Sequence, residues 1–373
     1  MKVLITGANG FVGKNLLVHL NERSDLEVTT FTRDDEIIDL EARVAGVDFI
    51  FHLAGVNRPE NPDDFKVGNS DLTRVLCDAV RESGKSIPVL YTSSSQAELD
   101  NPYGRSKLSA EQLLKKLNRK HGSPVYIYRL SNVFGKWAKP NYNSAVATFC
   151  HKITRDLPIQ INDPNASVTL VYIDDVVKDF ISVMDAPVKA GHKSLSVQPQ
   201  YTVTVGQLAE QLKAFRSSRA NLISEAVGVG FERALYSTYM SYLHPEDFAY
   251  EVTRHGDERG IFVEMLKTKD AGQFSFFSAH PGITRGGHYH HSKTEKFLVI
   301  KGEACFRFRH IVTGESYELM TGGDKSMIVE TVPGWTHDVT NIGDEEMIVM
   351  LWANEIFDPE KPDTFAMPVR AGS

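Results

Sequence analysis

Residues 1–13 of the chain read MKVLITGANGFVG, and this stretch decides the fold of the first half. A short β-rich run, residues 3–5, leads into glycines at 7, 10 and 13 and then into a segment with helical spacing. Glycine allows a tight turn, and a helix N-terminus offers free N–H groups and a positive dipole end to a pyrophosphate. The spacing is GxxGxxG rather than the common GxGxxG. Its place between strand and helix predicts a dinucleotide-binding loop of Gly7, Asn9, Gly10, Phe11, Val12 and Gly13.

Short β-rich runs alternate with helical stretches through the first half of the chain. Strand patterns occur at 3–5, 28–31, 47–53, 89–92 and 125–130, and helical patterns occur at 12–20, 72–81, 106–117 and across 204–243. Alternation at this spacing predicts a parallel sheet with helices on both faces. We therefore expect residues 1–243 to form an α/β, Rossmann-type doubly wound domain.

A different pattern follows the break at Pro245-Glu246-Asp247. Strand-like runs at 262–266, 274–277, 297–300, 304–308, 326–329 and 347–352 are separated by Gly and Asp turns. Many short strands at regular spacing predict an all-β barrel or sandwich. We place the boundary near 244–248 and expect residues 247–373 to form the second domain.

The charge balance limits the possible partners. The 373-residue chain has a formal charge of −7 and no basic block, which argues against nucleic acid and an anionic membrane surface. No apolar stretch approaches the roughly 18 residues of a membrane span, and the N-terminal apolar run is too short for a signal peptide. We therefore expect a cytoplasmic protein with no membrane insertion. Cys77, Cys150 and Cys305 are few and widely spaced, which predicts reduced, buried thiols.

The end of the second predicted strand bears on the choice of cofactor. Residues 31–34 read FTRD. Dinucleotide-binding domains carry an acidic residue here for NAD, or an arginine for the extra phosphate of NADP. Arg33 favours NADP, because a planar guanidinium suits a 2′-phosphate. Asp34 leaves open the alternative that the two residues only form a solvated turn.

Tyr103 and Lys107 form a YxxxK pair. Residues four apart share a helix face, so the phenol and the ammonium can lie side by side. A neighbouring cation favours the phenolate, and we therefore expect the pKa of Tyr103 to fall below its free value of about 10. Serines 93–95 end the preceding strand, at the sheet edge where open α/β proteins bind ligands. These groups predict an acid–base site.

Five motifs, in order along residues 1–243, resemble those of an extended short-chain dehydrogenase/reductase. They are TGANGFVG (6–13), HLAG (52–55), TSSS (92–95), YGRSK (103–107) and RLSNVFG (129–135). The resemblance implies that Tyr103 donates a proton to a carbonyl oxygen and that Lys107 holds the nicotinamide ribose and tunes Tyr103. It implies that Ser94 or Ser95 hydrogen-bonds the substrate oxygen. It further implies cofactor contacts by Asp39, Leu40, Ala54 and Gly55 and a substrate contact by Asn132.

A two-part pattern in the second half predicts a metal site. Its candidate ligands are His288, His290, Glu295 and His337. On a strand, residues 288 and 290 point to the same face, Glu295 opens the next strand, and His337 comes from a later one. Three imidazoles and a carboxylate suit Zn²⁺, Fe²⁺ or Mn²⁺, with Zn²⁺ as our first expectation. The alternative is a barrel in which these histidines only pack together.

The motifs that contain these residues resemble those of the cupin family, and this resemblance implies a jelly-roll barrel. Met327 stands where the leading glycine of that family's second motif falls. Residues 257–264, DERGIFVE, and 282–288, GITRGGH, are similar to the keto-deoxysugar 3,5-epimerases of the cupin superfamily. That resemblance implies that Arg259 and Arg285 contact the nucleotide and the sugar and that His288 is a proton-abstracting base. His288 thus has two candidate roles, base or metal ligand.

The whole chain resembles the CapF-type family of capsular polysaccharide biosynthesis enzymes, which act in N-acetylfucosamine precursor synthesis. The resemblance implies a homodimer and a UDP-linked keto-deoxy amino sugar as substrate, a UDP-2-acetamido-2,6-dideoxy-4-hexulose. The C4 ketone acidifies the C3 proton, so the barrel would epimerise C3 before the first domain reduces C4 with NADPH. One alternative makes the barrel a binding or dimerisation module on a working reductase. A redox-sensing binder without catalysis is the other, and the retained Tyr103 and Lys107 argue against it.

Overall fold

The computed structural model describes residues 1–59, 61, 63–257, 260–263, 265–268, 272–355 and 360–370, with the backbone alone at 254–257, 260–263, 267 and 273. The chain divides into two compact units. Unit 1 comprises Met1–Ser144 and Val168–Val203, and unit 2 comprises Ala145–Ser167 and Thr204–Ser373. The units interleave along the chain, whereas the boundary near 244–248 was drawn from the sequence pattern and stays a prediction.

Strands and helices alternate through most of the chain up to residue 204, as the sequence predicts. In chain order they are β1 (Lys2–Thr6), α1 (Phe11–Asn21), β2 (Glu27–Phe31), α2 (Asp39–Ala45), β3 (Phe49–His52), α3 (Leu72–Glu82), β4 (Val89–Ser94), α4 (Pro102–His121), β5 (Val125–Leu130), β6 (Asn132–Phe134), α5 (Ala145–Ile153), β7 (Ser167–Tyr172), α6 (Ile173–Asp185), β8 (His192–Leu195) and β9 (Tyr201–Thr204). A π-helical turn, Lys66–Asp71, precedes α3, and a 3₁₀ turn, Ser95–Glu98, follows β4. Helix α2 was not predicted, because its 7 residues are too few to establish a helical period.

Unit 1 is built on a six-stranded sheet in the order β2-β1-β3-β4-β5-β8, in which all pairs are parallel. Helices α2, α3 and α4 pack side by side, and α1 packs against α6. Apolar residues of the strands and of α2–α4 form a buried core, with Leu4, Ile50, Val89 and Leu114 all completely buried. The Rossmann-type fold is confirmed. The carboxyl ends of β1, β3 and β4 meet at one edge of this sheet, which brings their following loops together.

In the part of unit 2 that the structure describes, three α-helices are combined with an all-β region. After residue 204 the elements are α7 (Val205–Asn221), β10 (Ile223–Ser224), α8 (Gly230–Met240), β11 (Ala249–Glu251), β12 (Arg254–Asp257), β13 (Gly260–Val263), β14 (Lys267–Thr268), β15 (Gln273–Ala279), β16 (Thr284–Tyr289), β17 (Glu295–Lys301), β18 (Glu303–His310), β19 (Ser316–Gly322), β20 (Met327–Glu330), β21 (Trp335–Asn341), β22 (Met347–Ala353) and β23 (Phe365–Ala366). Within the residues that the structure describes, none of the helices is both long and apolar enough to cross a membrane.

Two five-stranded antiparallel sheets form the barrel, in the orders β11-β20-β17-β22-β15 and β19-β18-β21-β16-β23. Aromatic side chains join them. The ring centroid of Phe297 on β17 lies 5.6 Å from that of Phe306 on β18. Phe248, which is completely buried, contacts both Phe308 and Trp335 edge-on. The predicted cupin-like barrel is confirmed.

A buried ionic cluster ties helix α7 to the barrel. The two carboxylate oxygens of Glu330 on β20 accept hydrogen bonds from Lys296 on β17 and from Arg219 on α7. Lys296 also donates to the hydroxyl of Tyr250 at 3.1 Å. Although burial raises the pKa of Glu330, Lys296 and Arg219 lower it overall, so the carboxylate stays charged. Both cations thus share one buried carboxylate.

Removing that anion tests the cluster. We expect Glu330→Ala to lower the free energy of unfolding of unit 2 by about 3–5 kcal/mol, because two buried cations lose their partner. Urea denaturation followed by fluorescence measures the change. Glu345→Ala is the matched control, since Glu345 pairs with Lys301 at 3.0 Å on the exposed surface. It should leave the transition where the wild type has it, and equal effects of the two substitutions would contradict our account.

Candidate functional site

The glycine loop is closed tightly onto the sheet edge. Gly7 has φ +76°, and its N–H donates to the carbonyl of Phe31 at 2.8 Å. A Cβ on Gly7 would lie 2.7 Å from the backbone of Ala54, and one on Gly13 would lie 2.3 Å from the Gly7 carbonyl oxygen. Gly10 begins α1 without any side-chain cap, so the first N–H groups of the helix remain available. Side chains at these glycine positions would fill the space beside the helix N-terminus. With glycines there, the space fits a dinucleotide phosphate.

Arg33 lies exposed just beyond β2, beside a fixed turn. Asp35 accepts a hydrogen bond from the backbone N–H of Thr32 at 2.7 Å and pairs with Arg43 on α2. Among the described residues, Arg33 has no hydrogen-bond or ion-pair partner, and it lines a cavity of about 290 Å³ together with Arg58 and Tyr142. The carboxylate of Asp35 is thus engaged with the protein, whereas the side chains of Arg33 and Asp34 are both exposed.

Two further predicted cofactor residues lie on α2. Asp39 is exposed at the first position of the helix. The side chain of Leu40 is completely buried in the core of unit 1. Leu40 therefore serves the core with its side chain, and only its backbone is left for a ligand.

Helix α4 carries Tyr103 and Lys107 on one face. It begins where the side chain of Asn101 accepts the N–H of Gly104 at 2.7 Å, with Pro102 in the first turn. The Lys107 ammonium donates to the carbonyl of Thr92 at 3.0 Å and lies 6.0 Å from the centre of the Tyr103 ring. The amine thereby reaches the carboxyl end of β4, next to the phenol.

The structure distinguishes the three serines that follow Thr92. Ser94 is buried and forms a side-chain hydrogen bond with Tyr103. Ser95 is exposed in the following turn. Ser93 points the other way and donates to Glu111 at 2.7 Å. Of the two serines left open by the sequence, Ser94 is the one beside Tyr103.

Glu111 is a residue of this site that the sequence analysis missed. It is completely buried, and its two oxygens accept from Nε and Nη2 of Arg129, each at 2.9 Å. Although burial raises the pKa of Glu111, hydrogen bonds from Arg129 and Ser93 lower it overall. Its position four residues after Lys107, on the same helix face, was a signal in the sequence.

The expected pKa shift of Tyr103 is wrong. Burial raises the pKa of Tyr103, and the hydrogen bond from Ser94 opposes that rise only in part. Burial also lowers the pKa of Lys107 to about 8, against the attraction of Glu111. The sequence argument counted the cation beside the phenol but could not count the loss of water around both groups.

Ala54, Gly55 and Asn132 complete the predicted residues of unit 1. The N–H of Ala54 faces the Thr6 hydroxyl at 3.3 Å. A Cβ on Gly55 would lie 3.0 Å from the Lys107 Nζ atom, so a side chain at this position would crowd the amine. Asn132 lies exposed at the start of β6, where its amide nitrogen donates to the Thr169 carbonyl at 3.1 Å.

The four predicted metal ligands converge in unit 2. One potential ligand atom from each of His288, His290, Glu295 and His337 lies within 4.8 Å of the others. Strands β16 and β21 pair antiparallel with His288 opposite His337, and a bulge after Gly286 adjusts the register. Glu295 opens β17, and its Oε2 atom lies 3.1 Å from Nε2 of His290. His288 is half-buried, whereas the other three side chains are buried.

The donor set fits a divalent cation. Burial lowers the pKa of His337 and lowers that of His288 to about 3, so both imidazoles are neutral and keep a lone pair. Burial raises the pKa of Glu295, but His290 and His337 hold it well below its usual value. Neither ring nitrogen of the buried His337 has a hydrogen-bond partner among the described residues. A cation bound by this group would satisfy one of those two nitrogens, as Zn²⁺, Fe²⁺ or Mn²⁺ does elsewhere.

Of the two arginines predicted as ligand contacts in the barrel, Arg285 lies among the described residues and Arg259 does not. Arg285 is exposed on β16, and its guanidinium carbon lies 5.4 Å from the centre of the Phe277 ring. Arg259 lies outside the described residues. Its role in contacting a diphosphate therefore stays a prediction.

Two family models match separate parts of the chain. Residues 3–197 match the NAD dependent epimerase/dehydratase family, and residues 255–365 match the polysaccharide biosynthesis C-terminal domain. The chain is 63% identical over 373 residues to UDP-2-acetamido-2,6-beta-L-arabino-hexul-4-ose reductase of Pseudomonas aeruginosa, with 100% of both chains covered. It matches the crystal structure of the capsular polysaccharide assembling protein CapF of Staphylococcus aureus with a TM-score of 0.68 and 43% identity, over 99% of this chain and 100% of that chain.

A more distant structural match concerns the fold alone. UDP-glucose 4-epimerase of Thermotoga maritima, at 22% identity, aligns with 58% of this chain and 83% of its own with a TM-score of 0.52. The chain belongs to the NAD dependent epimerase/dehydratase family, which implies a nicotinamide cofactor. Within it, the full-length matches assign the chain to the CapF-type proteins, in which a second, barrel-forming region follows the Rossmann-type fold.

The buried ammonium of Lys107 predicts a specific pH dependence of stability. Because the folded protein holds this pKa at about 8, below the unfolded value of 10.5, charging the group costs stability below pH 8. Between the two values only the unfolded chain keeps the proton, so stability rises with pH. We expect Lys107→Met to be more stable than wild type at pH 7, and this advantage to shrink by about 2–3 kcal/mol toward pH 10.

Thermal unfolding of the apoprotein at several pH values provides the measurement. Lys116→Met on the same helix is the control, since Lys116 is exposed. Its difference from wild type should not change with pH. A Lys107→Met curve that runs parallel to the wild-type curve across pH 7–10 would show that Lys107 is not held at a lowered pKa.

Proposed function

We propose that the chain is an NADPH-dependent reductase of the C4 ketone in a UDP-2-acetamido-2,6-dideoxy-4-hexulose, and that its barrel epimerises C3 of the same sugar. One observation carries the reductase part: Ser94, Tyr103 and Lys107 converge at the carboxyl end of β4. The reductase named in Pseudomonas aeruginosa and the CapF protein of Staphylococcus aureus support the substrate class.

Each residue of the reductase site has a defined role in this proposal. The hydroxyls of Ser94 and Tyr103 hydrogen-bond the ketone oxygen, and Tyr103 gives it a proton. A raised pKa suits Tyr103 to this direction of reaction, because the phenol is still protonated at neutral pH. Lys107 lies close enough to stabilise the phenolate that remains and to bind a ribose hydroxyl. Bound NADPH supplies the hydride.

The cofactor would be held by groups on three loops of unit 1. The uncapped N-terminus of α1 and the backbone of Gly7, Gly10 and Gly13 suit the diphosphate. Ala54 and Gly55 line the approach to Lys107. We assign the 2′-phosphate of NADPH to Arg33, whose guanidinium lies exposed beside a turn in which Asp35 is already paired with Arg43.

In the barrel, we propose that His290, Glu295 and His337 bind a divalent cation, with His288 as a fourth ligand or as the base that removes the C3 proton. A bound cation supplies a Lewis acid that polarises a carbonyl group. His288 suits either role, because it is neutral and the most exposed of the four. Zn²⁺ is our first choice of metal. The competing proposal is that the barrel only binds or assembles and that the reductase accepts the unepimerised ketone.

Isotope exchange separates these two proposals. The protein is incubated with a UDP-4-keto-6-deoxy-N-acetylhexosamine in deuterated water without NADPH, and C3 is followed by NMR. We expect deuterium to enter C3 with wild type and with Tyr103→Phe, but not with His290→Ala. His280→Ala is the matched control, since His280 is an exposed histidine in the same unit, and it should exchange as wild type does.

Addition of NADPH then tests the reductase. We expect Tyr103→Phe to lower its rate by about 10²–10⁴-fold, because the proton donor is lost. Suppose that neither wild type nor any variant exchanges deuterium, although wild type oxidises NADPH when the same ketone is present. The barrel is then not an epimerase, and the binding or assembly proposal replaces ours.

Cofactor preference tests the role of Arg33. We expect Arg33→Ala to raise the KM for NADPH by about 10–100-fold and to leave the KM for NADH nearly unchanged, because one charge-assisted contact to the extra phosphate is lost. Steady-state kinetics with each cofactor measure the ratio. Arg74→Ala, at an exposed ion pair on α3, is the control and should change neither value. An equal rise for both cofactors would mean that Arg33 does not read the 2′-phosphate.

A further inference from the structure

Asp363 holds the loop that follows the HxH pair. Its Oδ1 atom accepts the backbone N–H of His291 at 2.8 Å. Its Oδ2 atom accepts the N–H groups of Ser292 and Lys293, both at 2.7 Å, and the Ser292 hydroxyl at 3.0 Å. One carboxylate thus binds three consecutive N–H groups directly after His290. Such a set of bonds fixes where the loop can lie between β16 and β17.

The main chain of Asp363 acts on His290 itself. Its carbonyl oxygen lies 2.5 Å from Nδ1 of His290. A carbonyl only accepts, so Nδ1 carries the hydrogen, which leaves Nε2, 3.1 Å from Glu295 Oε2, as the ring nitrogen on the side of the candidate ligands. Metal-binding histidines commonly donate their second ring N–H in this way, which fixes the tautomer and the ring orientation.

Helix α8 supports the same loop from a second direction. The Ser237 hydroxyl donates to the carbonyl of Ser292 at 2.6 Å. Arg233 bonds the Ser292 hydroxyl, lies 4.0 Å from the Asp363 carboxylate and pairs with Glu355 at 3.0 Å. Because these groups are buried or half-buried, the loop has little freedom to move.

We propose that Asp363 is a positioning residue of the cation site: its carboxylate fixes the 291–293 loop and its carbonyl orients His290 for ligation. This inference rests on the proposed function, in which the cluster around His290 binds a divalent cation. Asp363 touches no substrate and is not a ligand. Its effect is on how tightly, and in what geometry, the cation is held.

Asp363→Asn is the sharpest variant. It keeps the backbone carbonyl and the size of the side chain but places an NH₂ group or a single neutral oxygen against donors that now share two anionic oxygens. We expect the affinity for Co²⁺, measured by competition with a chelator, to fall by about 10–100-fold. The visible absorption of the Co²⁺-loaded protein should also change in position or intensity, because a 291–293 loop that is no longer fixed lets His290 move relative to the Asp363 carbonyl.

Three comparisons make the result decisive. Asp344→Asn, at an exposed position of the barrel, should bind Co²⁺ as wild type does. Asp363→Glu, which restores the charge, should recover part of the affinity. Should Asp363→Asn fail to fold, Ser237→Ala removes a single bond to the loop and is expected to weaken Co²⁺ binding in the same direction.

The failures of the two proposals have different signatures. If wild type and His290→Ala bind Co²⁺ equally poorly, the cation site itself is wrong, and the role of Asp363 goes with it. If wild type binds tightly, His290→Ala does not, and Asp363→Asn has the wild-type affinity and spectrum, only the inference about Asp363 is overturned. A loss of thermal stability in Asp363→Asn with unchanged affinity and spectrum overturns it as well, since that result marks a structural role alone.

Discussion

The carboxylate of Glu111 is completely buried, and its pairing with Arg129 determines where helix α4 can lie on the sheet. A buried anion is stable only when its oxygens are bonded, so the helix must bring Glu111 to the end of β5, where Arg129 is, and to Ser93 at the end of β4. Lys107 is one helical turn earlier and therefore arrives at the carbonyl of Thr92. The alternating direction of β4 then turns Ser94 away from Glu111 and toward Tyr103. The geometry of the reductase residues follows from the burial of one charge.

The barrel also contains a buried carboxylate that is paired with cations. Glu330 pairs with Lys296 and Arg219 and thereby fixes β17 beside β20 and helix α7. Lys296 directly follows Glu295, whose N–H donates to the Thr331 hydroxyl and whose carbonyl accepts the N–H of Thr331. The candidate ligand Glu295 is therefore held by neighbours on its own strand and on the next. In both units a buried, paired carboxylate positions a neighbouring residue of the candidate site.

The sequence predicted what depends on short-range spacing. The glycine loop and the pair Tyr103 and Lys107 each lie within a few residues, and His288 lies opposite His337 on two paired strands. The structure brings each of these groups together. What the sequence missed depends on burial or on contacts between distant segments. Ser94 could not be separated from Ser95 without knowing where β4 ends, and the pKa of Tyr103 depends on water excluded by the fold. Asp363 comes about 70 residues after His290, at no spacing that a metal-binding motif records.

The chemistry of the proposed substrate orders the two reactions, whatever the distance between the sites. The C3 proton is acidic only while C4 is a ketone, so a C3 step in the barrel must precede reduction in unit 1. The site in unit 1 favours that reduction, since burial keeps the proton on Tyr103 until negative charge develops on the oxygen it contacts. Once the C4 oxygen has taken up that proton, C4 carries an alcohol and the C3 proton is no longer acidic. Reduction therefore fixes the configuration that the barrel has set, and a chain with both activities draws a reversible epimerisation toward one product.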